Sequence, residues 1–257
     1  NVGTFQIEIA PTEVAYTGQN LKEFAASVVA GAIAAGHTSP VFLKLDHMRM
    51  EPKRYRENAE QEIQRVFGVI KEAIDAGFYA IDIDASVLEK SPKEVTDPVE
   101  QQRDNFIVSA RLVEMTRGYA REKGVEVALG VEVGEVGEAY ITEEHIKAFL
   151  SNLKEILENS SKKLGWNIKM PEVLAIPSGT PHGGLRNPET GEALTDVTIA
   201  FDLLERASVI CKEYGMIGPV QHGASKLPIG LFHMFPDRGV TEVHLATAMS
   251  DIEIDKI

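Results

Sequence analysis

The sequence predicts an α/β chain folded as a (β/α)8 TIM barrel, and three observations lead there. Short β-rich runs alternate with long helical patterns along the whole length, the mark of βα units on a parallel sheet. The 257 residues suit one barrel domain spanning 1–257, since such barrels run to about 250 residues as a single unit. Residues able to do chemistry recur at the end of one strand after another, where barrel sites lie. A doubly wound open sheet would instead concentrate them at one switch point.

Residues 4–10 read as a strand and 21–35 as a helix, with Leu21, Phe24, Val28, Val29 and Ile33 along one side. Strand 40–46 leads to a helix at 57–76, and strand 79–84 to a long helix at 99–123. Strand 125–133 precedes helix 143–163, and strand 172–176 precedes helix 197–214. Strand 218–221, a short helical stretch at 227–235 and a last strand at 242–246 complete the order. Gly77, Gly124, Gly215 and Gly239 each stand just past a helical pattern, where a left-handed C-cap is expected. Seven strands are one short of a closed barrel, so a first βα unit and a final helix are expected to be absent from the sequence as it stands.

Charge and composition exclude several classes. With 26 basic against 39 acidic residues the formal charge is −13, which repels nucleic acid and anionic lipid, so neither is an expected partner. An anionic substrate would need backbone N–H groups, a metal or a local basic cluster to outweigh that background. Cys211 is the only cysteine, which excludes an internal disulfide and favours a reducing compartment. The opening residues carry no basic stretch, and no apolar run approaches the roughly 20 residues of a membrane span. The cytoplasm is therefore the expected location.

Of the seven histidines, His37 and His145 read as solvated and His233 as packed in an apolar helical run. His47, His182, His222 and His244 follow or lie within strands. One strand-end histidine alone is usually structural, but imidazoles converging from separate strands suit Zn²⁺, which takes three protein ligands and keeps a position open. Asp46 immediately precedes His47, so the two side chains are expected to diverge. Asp82 and Asp84 alternate with Ile81 and Ile83 and so share a side of their strand. Two acids there need a cation, hydrogen bonds or water; Asp82 could simply bond to neighbouring strand ends. Glu132 lies in a Gly-rich run that continues to Glu138 on a loop. His182-Gly183-Gly184, His222-Gly223-Ala224-Ser225 and Ala246-Thr247 offer backbone N–H groups and hydroxyls to an anion.

Six stretches resemble the class II (zinc-dependent) ketose-bisphosphate aldolases: Leu45-Asp46-His47, Ile83-Asp84-Ala85-Ser86, Glu132-Val133-Gly134, Gly179-Thr180-Pro181-His182-Gly183, His222-Gly223-Ala224-Ser225 and Ala246-Thr247. The resemblance runs from the family's second strand through its eighth. It implies that His47, His182 and His222 bind catalytic zinc or another divalent cation, and that Asp46 is the acid/base at the aldehyde oxygen. Glu132 and Asp84 would take positions of an alternative or second cation site. Gly183, Gly223, Ala224, Ser225, Ala246 and Thr247 would line a phosphate site, and Glu138 would move the proton on the enediolate carbon. The implied substrate is a small phosphorylated ketose, and the implied assembly a homo-oligomer, dimer or tetramer. His244 stands where the family carries Asn, Lys44 where His is frequent, and the loop after His182 is unlike the family's. These departures keep three alternatives open: a metal-dependent epimerase or an aldolase acting on another sugar or sugar acid, a Schiff-base enzyme using Lys44, and a non-catalytic aldolase partner subunit.

Overall fold

Seven strands lie side by side in chain order, all parallel, in a computed structural model that describes residues 5–134, 141–179 and 199–246. They are β1 Gln6–Ile9, β2 Phe42–Arg49, β3 Ala80–Asp84, β4 Ala128–Glu132, β5 Val173–Ala175, β6 Gly218–Gln221 and β7 Glu242–Val243. Helices α1 Pro11–Thr17, α2 Leu21–Ala34, α3 Pro52–Glu57, α4 Ala59–Asp75, α5 Pro98–Lys123, α6 Glu143–Leu164, α7 Phe201–Glu213 and α8 Met234–Asp237 connect them. The sheet curls until its ends face each other: Gln6 Nε2 on β1 donates to Glu242 on β7 at 3.3 Å. Among the described residues no eighth strand joins β7 to β1, so the expected eight-strand closure is met in part. Among them, too, no helix is long and apolar enough to cross a membrane.

Alternation within the strands builds the core. Leu45, Ile81, Ile83, Leu129, Val131 and Leu174 point outward and are buried beneath the helices. Inward positions divide into two halves. Across β4–β6 they are small or apolar up to Glu132 at the end of β4, with Val173, Ala175 and Val220 forming a separate cluster. Across β1–β3 and β7 they carry Glu8, Lys44, Asp82 and Glu242. Gly130 on β4 lets these halves meet: a Cβ there would lie 2.0 Å from Asp82 Oδ1. Behind the sheet, Arg117 on α5 donates to Val127 O at 2.5 Å, Met170 O at 3.1 Å and Glu172 at 2.8 and 2.9 Å. It thereby ties together the chain entering β4 and β5.

Several expectations are corrected. The helix expected at 57–76 stands as α4, its start set by the Asn58 side chain, which accepts from Gln61 N–H at 3.1 Å, while α3 ahead of it is additional. The turn helix α1 is additional. Val29 and Ile33 are exposed rather than packed, since α2 stands at the edge of the sheet beside β1. The stretch at 227–235 breaks into short turns, leaving His233 exposed. His145, expected in solvent, is 8% exposed and serves the start of α6. Its Nδ1 accepts from Thr142 N–H at 3.2 Å, which puts the ring proton on Nε2, 2.7 Å from Gln101 Oε1.

Two outcomes follow. Gly130→Ala should destabilise the fold by about 2 kcal/mol, read as a lower denaturant midpoint, because Asp82 or the strand must shift. Burial lowers the His145 pKa below its ordinary 6.5, while Glu144 opposes the shift. A neutral ring held that way contributes stability above the unfolded-state pKa and loses it as pH falls through the folded one. His145→Ala should therefore cost about 1–2 kcal/mol at about pH 8 and distinctly less at about pH 5 in paired urea unfolding curves.

Candidate metal and acid/base site

The site begins with one extra residue in β2. Pairing with β3 runs Leu45↔Ile81 and then Met48↔Ile83, so two residues of β2 span one of β3. His47 sits at φ 47, a left-handed conformation rare outside glycine. Such a bulge re-aims side chains. It overturns the expected divergence of Asp46 and His47: both face the inside of the curl, with His47 Nε2 3.6 Å from Asp46 Oδ2.

Two lobes meet at His222, which follows β6 and is buried. In the first, His47 Nδ1 lies 2.7 Å from Glu132 Oε1 and 3.6 Å from Asp84 Oδ2, and the His47 and His222 rings are 4.4 Å apart. His47, Glu132 and His222 each offer a ligand atom, all within 4.8 Å of one another. Two imidazoles and a carboxylate at that spacing suit a divalent cation of the zinc type. In the second lobe the His244 ring is 4.3 Å from that of His222, and its Nδ1 is 3.3 Å from Asp46 Oδ1 and 3.2 Å from Glu8 Oε2. Lys44 Nζ lies 2.8 Å from Asp82 Oδ2 and 2.6 Å from Glu242 Oε2.

Neighbouring groups hold these residues in place. Asp84 accepts from Ser86 N–H at 3.1 Å and from its hydroxyl at 2.6 Å, which explains the Asp-Ala-Ser run. Asn105, buried on α5, donates to the Glu132 carbonyl at 2.9 Å. Ser178 donates to Gln221 Oε1 at 2.6 Å, and Gln221 Nε2 in turn donates to the His222 carbonyl.

Buried carboxylates outnumber cations here, and protonation follows. Burial disfavours a charged His47, yet Glu132 and Asp46 outweigh it and push its pKa up to about 12. Burial and then Asp84 raise Glu132 to about 7. Burial also opposes ionisation of Asp46, but His47 and His244 hold it well below the usual carboxylate range, so it stays an anion. The proton on His47 stands where ligation would place a cation, since imidazole must be neutral to bind metal. Lys44 is driven the other way from a nucleophilic amine: despite burial, Asp82 and Glu242 raise its pKa above that of free lysine. This counts against the Schiff-base alternative.

The structure thus brings together Asp46, His47, Asp84, Glu132 and His222 from four separate strands. Gly223, Ala224 and Ser225 follow β6 beside His222, with Gly223 at φ 71 opening a short turn, and Ala246 follows β7. His182, Gly183, Glu138 and Thr247 lie outside the described residues. Glu8 and Glu242 were not anticipated. Their signal was available: Glu8 alternates with Ile7 and Ile9 as Asp82 does with its own isoleucines.

The profile described as fructose-bisphosphate aldolase class-II matches residues 5–257. Among solved structures, a probable tagatose 6 phosphate kinase from Sinorhizobium meliloti 1021 is similar at 15% identity and a TM-score of 0.65, covering 96% of this chain and 59% of that one. A putative phosphonomutase from Burkholderia cenocepacia J2315 is similar at 14% identity and a TM-score of 0.50, covering 99% and 83%. At such identities the likeness is one of fold, and the chain spans little more than half the length of the first. No curated protein matches the sequence. The profile match over nearly the whole chain, on a curled parallel sheet that gathers His47, Glu132 and His222, places the protein in the class-II fructose-bisphosphate aldolase family.

Proposed function

We propose that the chain is a metal-dependent aldolase that cleaves, or in reverse forms, a C–C bond in a phosphorylated ketose of the fructose- or tagatose-bisphosphate type. The observation that carries this reading is the convergence of His47, Glu132 and His222 donor atoms within 4.8 Å, with the anionic Asp46 alongside. His47, His222 and His182 would hold the ion, with Glu132 as an alternative ligand and Asp84 near His47. A divalent cation, zinc by donor type, supplies Lewis-acid stabilisation for the charge that cleavage leaves on the ketone oxygen.

The protein's own groups do the remaining work. Asp46, anionic in the folded chain, takes the proton from the hydroxyl on the departing aldehyde carbon and returns it during synthesis. Its neighbour His244 fixes one carboxylate oxygen and leaves the other toward His47. Glu138 would handle the proton on the remaining carbon. Gly223, Ala224, Ser225, Ala246, Gly183 and Thr247 would receive a substrate phosphate through backbone N–H groups and hydroxyls, which the net charge of −13 makes necessary. A second reading, an epimerase or an aldolase for a different sugar or sugar acid, draws on one observation. His244 adds an imidazole 3.3 Å from Asp46 and so alters the wall that meets the substrate.

Cleavage of fructose or tagatose bisphosphate should stop when the ion is removed by chelator and return when zinc is restored. Full turnover with metal content measured as nil would sink the reading, and turnover of other sugars alone would favour the second. Asp46→Asn should lower kcat by about 10²–10⁴-fold while metal content is unchanged. An equal loss of metal would make Asp46 a ligand instead.

A further inference from the structure

The proposed reaction leaves Lys44 without a part, although at 1% exposure it is among the largest side chains of the described residues so withdrawn from water. An ammonium is costly to bury and is retained only where anions compensate it. Here the surroundings have the form of an ion site. Asp46, Asp82, His222 and His244 each present one ligand atom within 4.8 Å of one another, a set of two carboxylates and two imidazoles. That is the donor number and type of a tetrahedral divalent cation. Lys44 Nζ lies among them, 2.8 Å from Asp82 and 3.2 Å from His244 Nε2, with Glu242 at 2.6 Å. Asp82 is 2% exposed and its Oδ1, turned toward Gly130, accepts no hydrogen bond. The Lys44 ammonium is therefore what balances this carboxylate.

We infer that Lys44 is a tethered cation occupying the place of a second metal ion, so that metal is confined to the lobe of His47, Glu132 and His222. A divalent ion and an ammonium within about 3 Å would repel strongly in so dry a setting, and only one can be present. The backbones that carry these donors are held by contacts other than Lys44. Asp82 is held by β3 against Gly130, and His244 by its N–H bond to Gln221 O at 2.9 Å. His222 belongs to both lobes, so an ion added beside one already bound would rest on Asp46, Asp82 and His244, three donors with a position left open.

The test compares zinc content per chain, by elemental mass spectrometry after dialysis of the intact protein, among the parent and three variants. Lys44→Met should gain about one ion per chain over the parent, with a larger rise in Tm on adding zinc. Lys44→Arg, which keeps a cation, should match the parent. Lys44→Met combined with Asp82→Asn should return to the parent's count. A folded Lys44→Met with no added ion overturns the inference, as does an added ion in Lys44→Arg. If Lys44→Met folds only when zinc is supplied, the gain still decides; if it stays unfolded with zinc present, the inference fails. The inference rests on the metal reading only for the parent's own count. A parent without metal would defeat that reading, while a gain in Lys44→Met would still support the tethered cation.

Discussion

A carboxylate withdrawn from water needs a positive neighbour within a few ångströms, and this requirement organises the inside of the sheet. Glu8, Asp46, Asp82, Asp84, Glu132 and Glu242 all turn inward, answered by Lys44, His47 and His244. Acids on β1, β3 and β4 can share those cations only because the sheet curls until β1 side chains reach β7. The opposite half of the interior, Val173, Ala175 and Val220, is apolar and carries no comparable demand. Charge is thus gathered to one side and packing to the other, with Gly130 giving Asp82 room at the boundary.

Against that background the bulge in β2 has a clear consequence. A regular strand would send Asp46 and His47 to opposite faces, leaving a metal ligand and a proton acceptor on different sides of the sheet. The extra residue costs His47 a left-handed conformation, of the order of 1–3 kcal/mol, and in return both groups face one space. Ser86, Asn105 and Gln221 then bond to the groups or backbones that carry Asp84, Glu132 and His222, limiting their freedom. A site assembled from short strands gains from such support, because each strand alone fixes only a direction.

Much of this was legible in the amino-acid order. Strand and helix periods located seven βα-type strands, and Gly124 ended its helix in the left-handed conformation expected of a C-cap. Alternation placed Asp82 with Asp84 on a common side of their strand. Other features were hidden because they depend on partners far along the chain. His145 looked like a charged helix start, yet Gln101, 44 positions earlier, draws it inside. Val29 and Ile33 have the spacing of a packed face, but α2 lies at the sheet's edge.

The sequence by itself determined the order of the seven strands, the parallel α/β class and, outside the bulge in β2, which residues of a strand share a side, since these follow from local periodicity and chirality. Only the tertiary structure decided that Asp46 and His47 share a face, that Glu8 and Glu242 complete a charged lobe, and that Lys44 stands among ion ligands. These facts depend on the curvature of the sheet and on a one-residue slip between β2 and β3. Both are set by packing between distant segments, which no local pattern encodes.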